Sequence, residues 1–461
     1  MKRSVNMLKG PLWSSLITYT IPIMLTGLLQ LLFNAADLVI VGRFSGSINV
    51  AAVSATGAIT NLIVNLFIGL SVGAGVTVAH GLGGNQSQEV HRTVHSALPL
   101  ALVGGIILTI VGVLFAESFL TLMNTPADVL PLSAMYMRIY FCGMTFTMVY
   151  NFCASILRAA GDTRSPLIFL MISGVINVIL NVIFVVVFHM TVDGVALATT
   201  ISQAISAILV VIALMRRTDA CKLSLKKMRF YKVPLIKMIR IGLPAGIQGS
   251  MFSISNVIIQ SSINSFNSGV LMSGNGAAGN IEGFVYVLMN SFHQTAVNYV
   301  GQNMGAHQYK RIKKIFAYCL GYVAIAGLIA GSAVWYFGEE LLGIYITDSH
   351  EAIQYGLIRF NYIALPYFLC GLMDVSTGAL RGLGASLTPM LISVMGVCGI
   401  RIAWIYTIFQ IPQFHTPECL YLSYTISWIA TFICQTIAFI IIFKKRVHSD
   451  RTLPHMPEFK K

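Results

Sequence analysis

The sequence predicts an all-α polytopic membrane protein with twelve transmembrane helices in two pseudo-symmetric six-helix lobes and both termini cytoplasmic. Three observations predict it. The 461 residues are 56% hydrophobic and 10% charged, with a mean hydropathy of +0.77, whereas a soluble domain carries about 25% charged residues. Twelve apolar segments reach the roughly 20 residues that a hydrocarbon core of about 30 Å demands of a helix. Landmarks of the first half also recur in the second half at a nearly constant offset.

The first six segments are 16–41, 50–79, 97–116, 129–154, 167–188 and 195–215. The second six are 241–263, 277–300, 315–337, 358–380, 390–409 and 420–443. All are too long for strands. Lys2, Arg3 and Lys9 precede the first run in the manner of a signal peptide. That run continues to Val41 without a small-residue cleavage site, so it reads as the first span.

The charge of +14 is explained by where it sits. Of the 30 Lys and Arg, 26 fall in the amino terminus, the even-numbered loops and the carboxyl tail. The connection between spans 6 and 7 alone holds Arg216, Arg217, Lys222, Lys226, Lys227, Arg229 and Lys232. The opposite loops after spans 3 and 9 carry Glu117, Asp128, Glu339, Glu340 and Asp348, with no Lys or Arg. Basic residues mark the cytoplasmic side, so the charge is topological and no nucleic-acid partner is expected.

The repeat is specific. Leu157-Arg158, Gly161 and Pro166 recur as Leu380-Arg381, Gly384 and Pro389, 223 residues later. Pro22 and Pro244, Gly83 and Gly305, and Gln86 and Gln308 differ by 222, and Arg138 and Arg359 by 221. With six spans per repeat the halves insert in the same orientation, related by an axis along the membrane normal. The expected division is 1–215 for the amino-terminal lobe, 216–240 for a cytoplasmic basic linker, 241–443 for the carboxy-terminal lobe and 444–461 for a tail. Eight cysteines form no C-x-x-C pair and mostly lie in apolar runs, where they read as small buried hydrophobes.

Only three acids sit well inside spans: Asp37, Glu282 and Asp374. A carboxylate there costs about 2.5–3.5 kcal/mol on insertion scales and normally faces a cavity, an ion or a partner. Gln30, Asn34 and Asp37 share one helix face. By helical rise, Asp37 lies about 6 Å, Asn181 about 10 Å and Thr199 about 7 Å below the outer surface. Asn177 is one turn below Asn181 on the same face. These four are expected to converge, and an all-oxygen set with one carboxylate suits a proton or a hard monovalent cation. Interhelical hydrogen bonding alone is the plainer reading of the Asn and Thr residues.

In the second half, Glu282 lies about 8 Å and Arg401 about 12 Å below the outer surface, a difference that an Arg side chain can span, so the two are expected to pair. Asp374 shares a face with Tyr367 and Cys370 near the cytoplasmic end of span 10, where it reads either as a pathway residue or as a carboxylate snorkelling to the interface. Arg158 and Arg381 close spans 4 and 10, where a cation complements a helix C-terminus. Polar stripes run along span 2 (Ser54, Asn61, Asn65), span 6 (Thr199, Gln203, Ser206), span 7 (Ser253, Asn256, Gln260) and span 8 (Asn290, His293, Gln294, Asn298). Stripes from both halves imply a central water-filled cavity. No phosphate loop, H-E-x-x-H or G-x-S-x-G occurs, so an enzyme is not expected and transport must draw on an ion gradient or a partner.

Phe33-Asn34-Ala35-Ala36-Asp37, Leu157-Arg158-Ala159-Ala160-Gly161-Asp162 and Leu380-Arg381-Gly382-Leu383-Gly384 resemble the multidrug and toxic compound extrusion (MATE) family. The run from Asn177 to Thr199 and Val300-Gly301-Gln302-Asn303-Met304-Gly305-Ala306 extend the resemblance over essentially the whole chain. It implies a bacterial plasma-membrane exporter of amphipathic, often cationic, drugs by rocking of two lobes in exchange for H⁺ or Na⁺. No cofactor beyond that ion is implied, and membrane lipids and small organic cations are the expected partners of a monomer. The family's helix-1 acid matches Asp37, and its amino-lobe ion-site positions match Asn177, Asn181 and Thr199. Many relatives carry Asp where this chain has Asn181, and the helix-7 Glu of another branch is missing from 241–263. Two alternatives are a flippase of a lipid-linked saccharide in the same superfamily, which a basic cavity would favour, and a major-facilitator carrier. The latter would carry an acid-Arg signature in the loop after span 2, where this chain has Gly83-Gly84-Asn85-Gln86-Ser87-Gln88.

Overall fold

The computed structural model describes residues 4–123, 125–347 and 349–452. Lys2, Arg3, Asp348 and the last nine residues of the tail, 453–461, lie outside the described residues. Every regular element among the described residues is a helix.

The first lobe consists of α1 (Leu12–Ser45), α2 (Ser47–Gly83), α3 (Ser87–Leu122), α4 (Leu130–Cys142), α5 (Met144–Ala159), α6 (Arg164–Val182) and α7 (Val192–Met215). The second holds α8 (Lys232–Asn264), α9 (Gly269–Gly305), α10 (Tyr309–Tyr336), the short α11 (Gly338–Gly343), α12 (His350–Arg359), α13 (Tyr367–Gly382), α14 (Leu387–Ser393), α15 (Ile400–Tyr406) and α16 (Pro417–Thr452). The α4–α5 pair bends by 46° around Gly143 to make one span, and α12–α13 bends by 42° just before Tyr367 to make another. A π turn, Val394–Gly399, joins α14 to α15. This gives twelve membrane crossings, six per lobe. The basic stretch between α7 and α8 folds into a 3-10 turn at Leu225–Lys227, and α8 begins at Lys232, inside the region read as linker.

The repeat is visible in the backbone. Asn85 and His307, 222 positions apart, both take left-handed φ (53° and 53°), and Gly161 and Gly384 do so at 86° and 81°. The two bends fall at repeat-related positions as well. Among the described residues, eight helices are long and apolar enough to span by composition alone, and the bent pairs bring this to ten. The remaining two, α8 with 33 residues and α9 with 37, are long enough but carry many Gly, Ser, Asn and Gln. Their polarity has a use: they line the cleft described below.

The lobes meet in their cytoplasmic halves. A Cβ on Gly69 of α2 would lie 2.1 Å from the Gly246 nitrogen of α8, and one on Gly73 would lie 2.1 Å from the Met238 carbonyl. In return, a Cβ on Gly242 would lie 2.6 Å from Leu70 Cα and one on Gly246 would lie 2.1 Å from the Leu66 carbonyl. This small-xxx-small crossing lets two backbones touch, the usual way that membrane helices pack without a hydrophobic driving force. Nearer the cytoplasm, His80 Nε2 lies 2.7 Å from the Gly382 carbonyl, and Gly83 lies against the Gln302 carbonyl.

Helix α1 belongs to both lobes. Its inner half joins the second-lobe core through Leu16, Tyr19 and Ile23. Tyr19 packs edge-on against Tyr299 of α9, and the Thr20 and Thr295 hydroxyls are 2.8 Å apart. Its outer half packs on α6 of the first lobe, where a Cβ on Gly174 would overlap the Phe33 ring at 1.8 Å.

Candidate functional site

Two polar centres lie in the outer half of the membrane, one in each lobe. The first is built by the close crossing of α1 and α6. With Gly174 letting α6 settle on Phe33, Asn177 and Asn181, one and two turns further on, come level with Asp37. Asn181 Nδ2 donates to Asp37 Oδ1 at 2.5 Å and to Asn177 Oδ1 at 3.2 Å. Thr199 of α7 donates its hydroxyl to Asp37 Oδ2, and Asn177 Nδ2 donates to Thr199 Oγ1, both at a long 3.4 Å. Asp37 is 9% exposed and Asn181 fully buried. Among the described residues no Lys, Arg or His forms an ion pair with Asp37. The four residues grouped from depth alone therefore do converge. Because α1 continues to Ser45, Asp37 lies eight residues from the helix end, about 12 Å deep, which is further in than the 6 Å read from sequence.

The second centre is a cleft of about 670 Å3 lined by the outer portions of α8, α9, α12, α13, α15 and α16. Asn65, Asn256, Gln260, Glu282, Asp374 and Arg401 line it, as the polar stripes imply. Asn65 is its one contribution from the first lobe among the lining residues. Gln30, Asn34, Asn61, Gln203, Asn290 and His293 do not line it. Gln30, Asn34 and Asn61 are exposed elsewhere, while His293 is buried with Nδ1 2.7 Å from the Asp374 carbonyl. The cavity thus belongs to one lobe more than to both.

Glu282 does not pair with Arg401. Its carboxylate accepts from Arg359 Nε at 3.0 Å and Nη2 at 2.7 Å, while Arg359 Nη1 donates to Asn275 Oδ1 at 2.6 Å. The physical reason is helix adjacency: Gly274 of α9 lies against the Ala352 carbonyl of α12, where a Cβ would come within 2.2 Å. That contact brings Arg359, two turns along α12, to Glu282. Arg401 instead donates Nε to Ser427 Oγ at 3.0 Å and stacks over Tyr424, 3.9 Å from the ring centroid.

Asp374 is not a snorkelling carboxylate, since it is 7% exposed, faces the cleft, and its Oδ2 has no hydrogen-bond partner among the described residues. Arg381 does sit in the last turn of α13, but it points inward, buried, donating Nη2 to Gln248 Oε1 of α8 at 2.8 Å, with Nη1 3.3 Å from His293 Nε2. Gln248 continues to Ser393, which also accepts from Gln435, and Gln435 accepts from Thr377. This network across α8, α13, α14 and α16 underlies the cleft floor and escaped sequence reading, because lone Ser, Thr and Gln residues carry no spacing signal. Arg359 did carry a signal. With Arg43, Arg138 and Arg401 it is one of the four cations that break the positive-inside pattern, and two of those four, Arg359 and Arg401, line the cleft.

The eight cysteines are unpaired: five are buried, Cys419 is half-buried, and Cys142 and Cys434 are exposed.

Comparison with known proteins gives one consistent answer. The sequence model of the MatE family matches residues 22–183 and 244–407, once in each lobe. The chain is 26% identical over 402 residues to the probable multidrug resistance protein YoeA of Bacillus subtilis, covering 86% of each chain. It is 28% identical over 403 residues to the probable multidrug resistance protein YpnP of the same organism, covering 87% of this chain and 89% of that one. The crystal structure of a MATE protein in complex with MaL6 superposes with a TM-score of 0.88 at 18% identity, over 98% of this chain and 100% of that one. That likeness concerns the fold: twelve helices in two lobes. With the family model matched over well over half of its length, the chain belongs to the MatE family of multi-pass membrane transporters.

Proposed function

We propose that this protein exports amphipathic organic compounds, cationic drugs among them, in exchange for H⁺ or Na⁺, with Asp37 as the coupling group. The observation that carries the reading is the isolation of Asp37: among the described residues it is a buried carboxylate held only by neutral donors, Asn181 and Thr199. A membrane-embedded carboxylate without a protein counter-ion is compensated by a proton or a small cation from the aqueous side.

Mechanism follows from the double allegiance of α1. Its outer half carries Asp37 against α6 and α7, and its inner half is built into the second-lobe core. Neutralising Asp37 removes the reason for Asn181 and Thr199 to hold α1 in its present course, and a shift of α1 is felt at the Tyr19–Tyr299 and Thr20–Thr295 contacts between lobes. A ligand moves such an equilibrium only by its differential affinity for the two arrangements, so ion and substrate are read as binding in alternation. The protein is taken to work as a monomer in the bacterial plasma membrane. Saccharide-lipid flipping is the weaker reading, since Arg359 and Arg401 are matched in number by Glu282 and Asp374 in the cleft.

The experiment is efflux of a fluorescent organic cation from proteoliposomes under an imposed pH gradient and, separately, a Na⁺ gradient. One of the two is expected to drive efflux. Efflux indifferent to both would overturn the antiport reading.

A further inference from the structure

We infer that the second-lobe cleft holds an oxyanion-binding subsite at Arg401, which makes zwitterionic aromatic amphipaths better ligands than their purely cationic counterparts. The inference rests on the export reading above and takes this cleft, which is lined by charged residues of both signs, as the place where the exported compound binds.

Arg401 is 4% exposed and lies in the membrane interior. It has no acidic partner within ion-pair distance among the described residues. Of its donors only Nε is used, on Ser427. Nη1 and Nη2 have no protein partner, yet neither is sealed off as a buried orphan, and the residue lines the cleft. Their free edge therefore opens to the cavity. The guanidinium face is spoken for by Tyr424 at 3.9 Å, with Trp428 at 5.9 Å. A guanidinium stacked on one face and tethered at Nε presents its two Nη atoms as a fixed fork, the geometry that takes a carboxylate or phosphate through two parallel hydrogen bonds.

The contrast with Arg359 is informative. Arg359 lines the same cleft, but its charge is satisfied by Glu282 and Asn275. Removing a charge from water costs several kcal/mol unless a partner compensates it, so the unpaired cation is the one left for a ligand. Asp374 lines the same cleft without an ion pair among the described residues: its Oδ2 is a sealed orphan, while its Oδ1 has no protein partner there and is not sealed off. A cleft with one unmatched cation and one unmatched anion is complementary to a ligand bearing both charges. The Trp428 ring, which also lines the cleft, supplies apolar surface for its aromatic body.

The test uses a matched pair of dyes: rhodamine 110, a zwitterion with a free carboxylate, and rhodamine 123, its cationic methyl ester. Binding to the purified full-length protein is followed by fluorescence polarisation. The wild type is expected to prefer the acid by about tenfold, the scale of one charge-assisted contact. Arg401→Gln should erase the preference, with the loss falling on binding of the acid. Arg401→Lys, which keeps the charge without the fork and guards against misfolding of the neutral variant, should retain only part of it. Equal affinities in the wild type, or an undiminished preference in either variant, would overturn the subsite. A lipid phosphate has the same chemistry as the carboxylate. Nanodiscs with and without phosphatidylglycerol separate the two: loss of acid binding in the anionic lipid, in wild type but not in Arg401→Gln, assigns the subsite to a headgroup, and unchanged binding assigns it to the soluble zwitterion. Gradient-driven efflux of rhodamine 123 reports on the export reading independently, so either claim can fail while the other stands.

Discussion

Glu282 of α9 and Arg359 of α12 form a two-bond ion pair inside the membrane, at 2.7 and 3.0 Å, with side chains 5% and 11% exposed. Tyr421 and Asn275 complete it: the Tyr421 hydroxyl and Arg359 Nη1 both donate to Asn275 Oδ1. The pair ties the two outer-half helices that wall one side of the cleft.

Breaking this pair from one side leaves an uncompensated buried charge, which costs about 3–5 kcal/mol. Glu282→Gln or Arg359→Met alone is therefore expected to lower the thermal unfolding midpoint of the detergent-purified protein markedly. The double variant Glu282→Gln/Arg359→Met is expected to recover most of the loss. Equal damage from the single and double variants would show that the pair is not the stabilising unit.

At the lobe interface, Gly246→Ala places a methyl 2.1 Å from the Leu66 carbonyl of α2. The close crossing of α2 and α8 cannot absorb it, and overpacking of this kind costs about 1–3 kcal/mol. That penalty falls only on the arrangement with the cytoplasmic halves together and shifts populations by roughly 5- to 150-fold. Spin labels placed across the cytoplasmic ends of α2 and α8 should show longer distances in Gly246→Ala than in wild type.

How much of this was legible in the chain depends on what kind of neighbour a residue has. Asp37, Asn177, Asn181 and Thr199 sit on sequence-adjacent or first-lobe helices, so depth arithmetic and one shared helix face were enough to group them. Depth alone misled for Glu282, because two residues whose depths a side chain can bridge need not sit on helices that touch. The partner was decided by Gly274 against Ala352, a backbone contact that no pattern of side-chain polarity reveals. The duplication, the orientation and the number of crossings were readable because they are carried by many residues at once. The confinement of the cleft to one lobe was not, because a polar stripe on α7 bearing Gln203 looks in sequence like one on α8 bearing Gln260.

Asn181→Asp places a second acid beside Asp37. Its carboxylate would stand about hydrogen-bond distance from that of Asp37, where two like charges cannot coexist unless a proton or a cation is shared between them. The variant is expected to gain stability on addition of Na⁺ at neutral pH, read as a rise in unfolding midpoint that K⁺ or choline does not reproduce at equal ionic strength. The absence of any Na⁺-specific rise would show that the cluster does not accommodate a monovalent cation.

The cytoplasmic connection contains an ordinary pH-sensitive contact. Burial pushes the Asp219 carboxyl up, but hydrogen bonds and charge from Arg217, with the Cys221 N–H, outweigh it and hold Asp219 below its usual value. A carboxylate with a lowered folded-state value stabilises fully above the unfolded value of about 4 and loses that contribution as pH falls through the folded one. Proteolysis of the connection around Arg217–Cys221 should therefore accelerate below about pH 4. Asp219→Asn should cleave at the fast rate already at neutral pH.

The most direct measurement of Asp37's role is efflux of a fluorescent organic cation from proteoliposomes holding wild type or Asp37→Asn, under the gradient that drives the wild type. Asn keeps the size and one acceptor oxygen for Asn181, but its amide nitrogen donates where the second carboxylate oxygen accepted from Thr199, and it holds no proton or cation. Gradient-driven efflux is expected to vanish while equilibrium binding of the organic cation to the purified variant persists. Undiminished gradient-driven efflux by Asp37→Asn would contradict Asp37 as the coupling group.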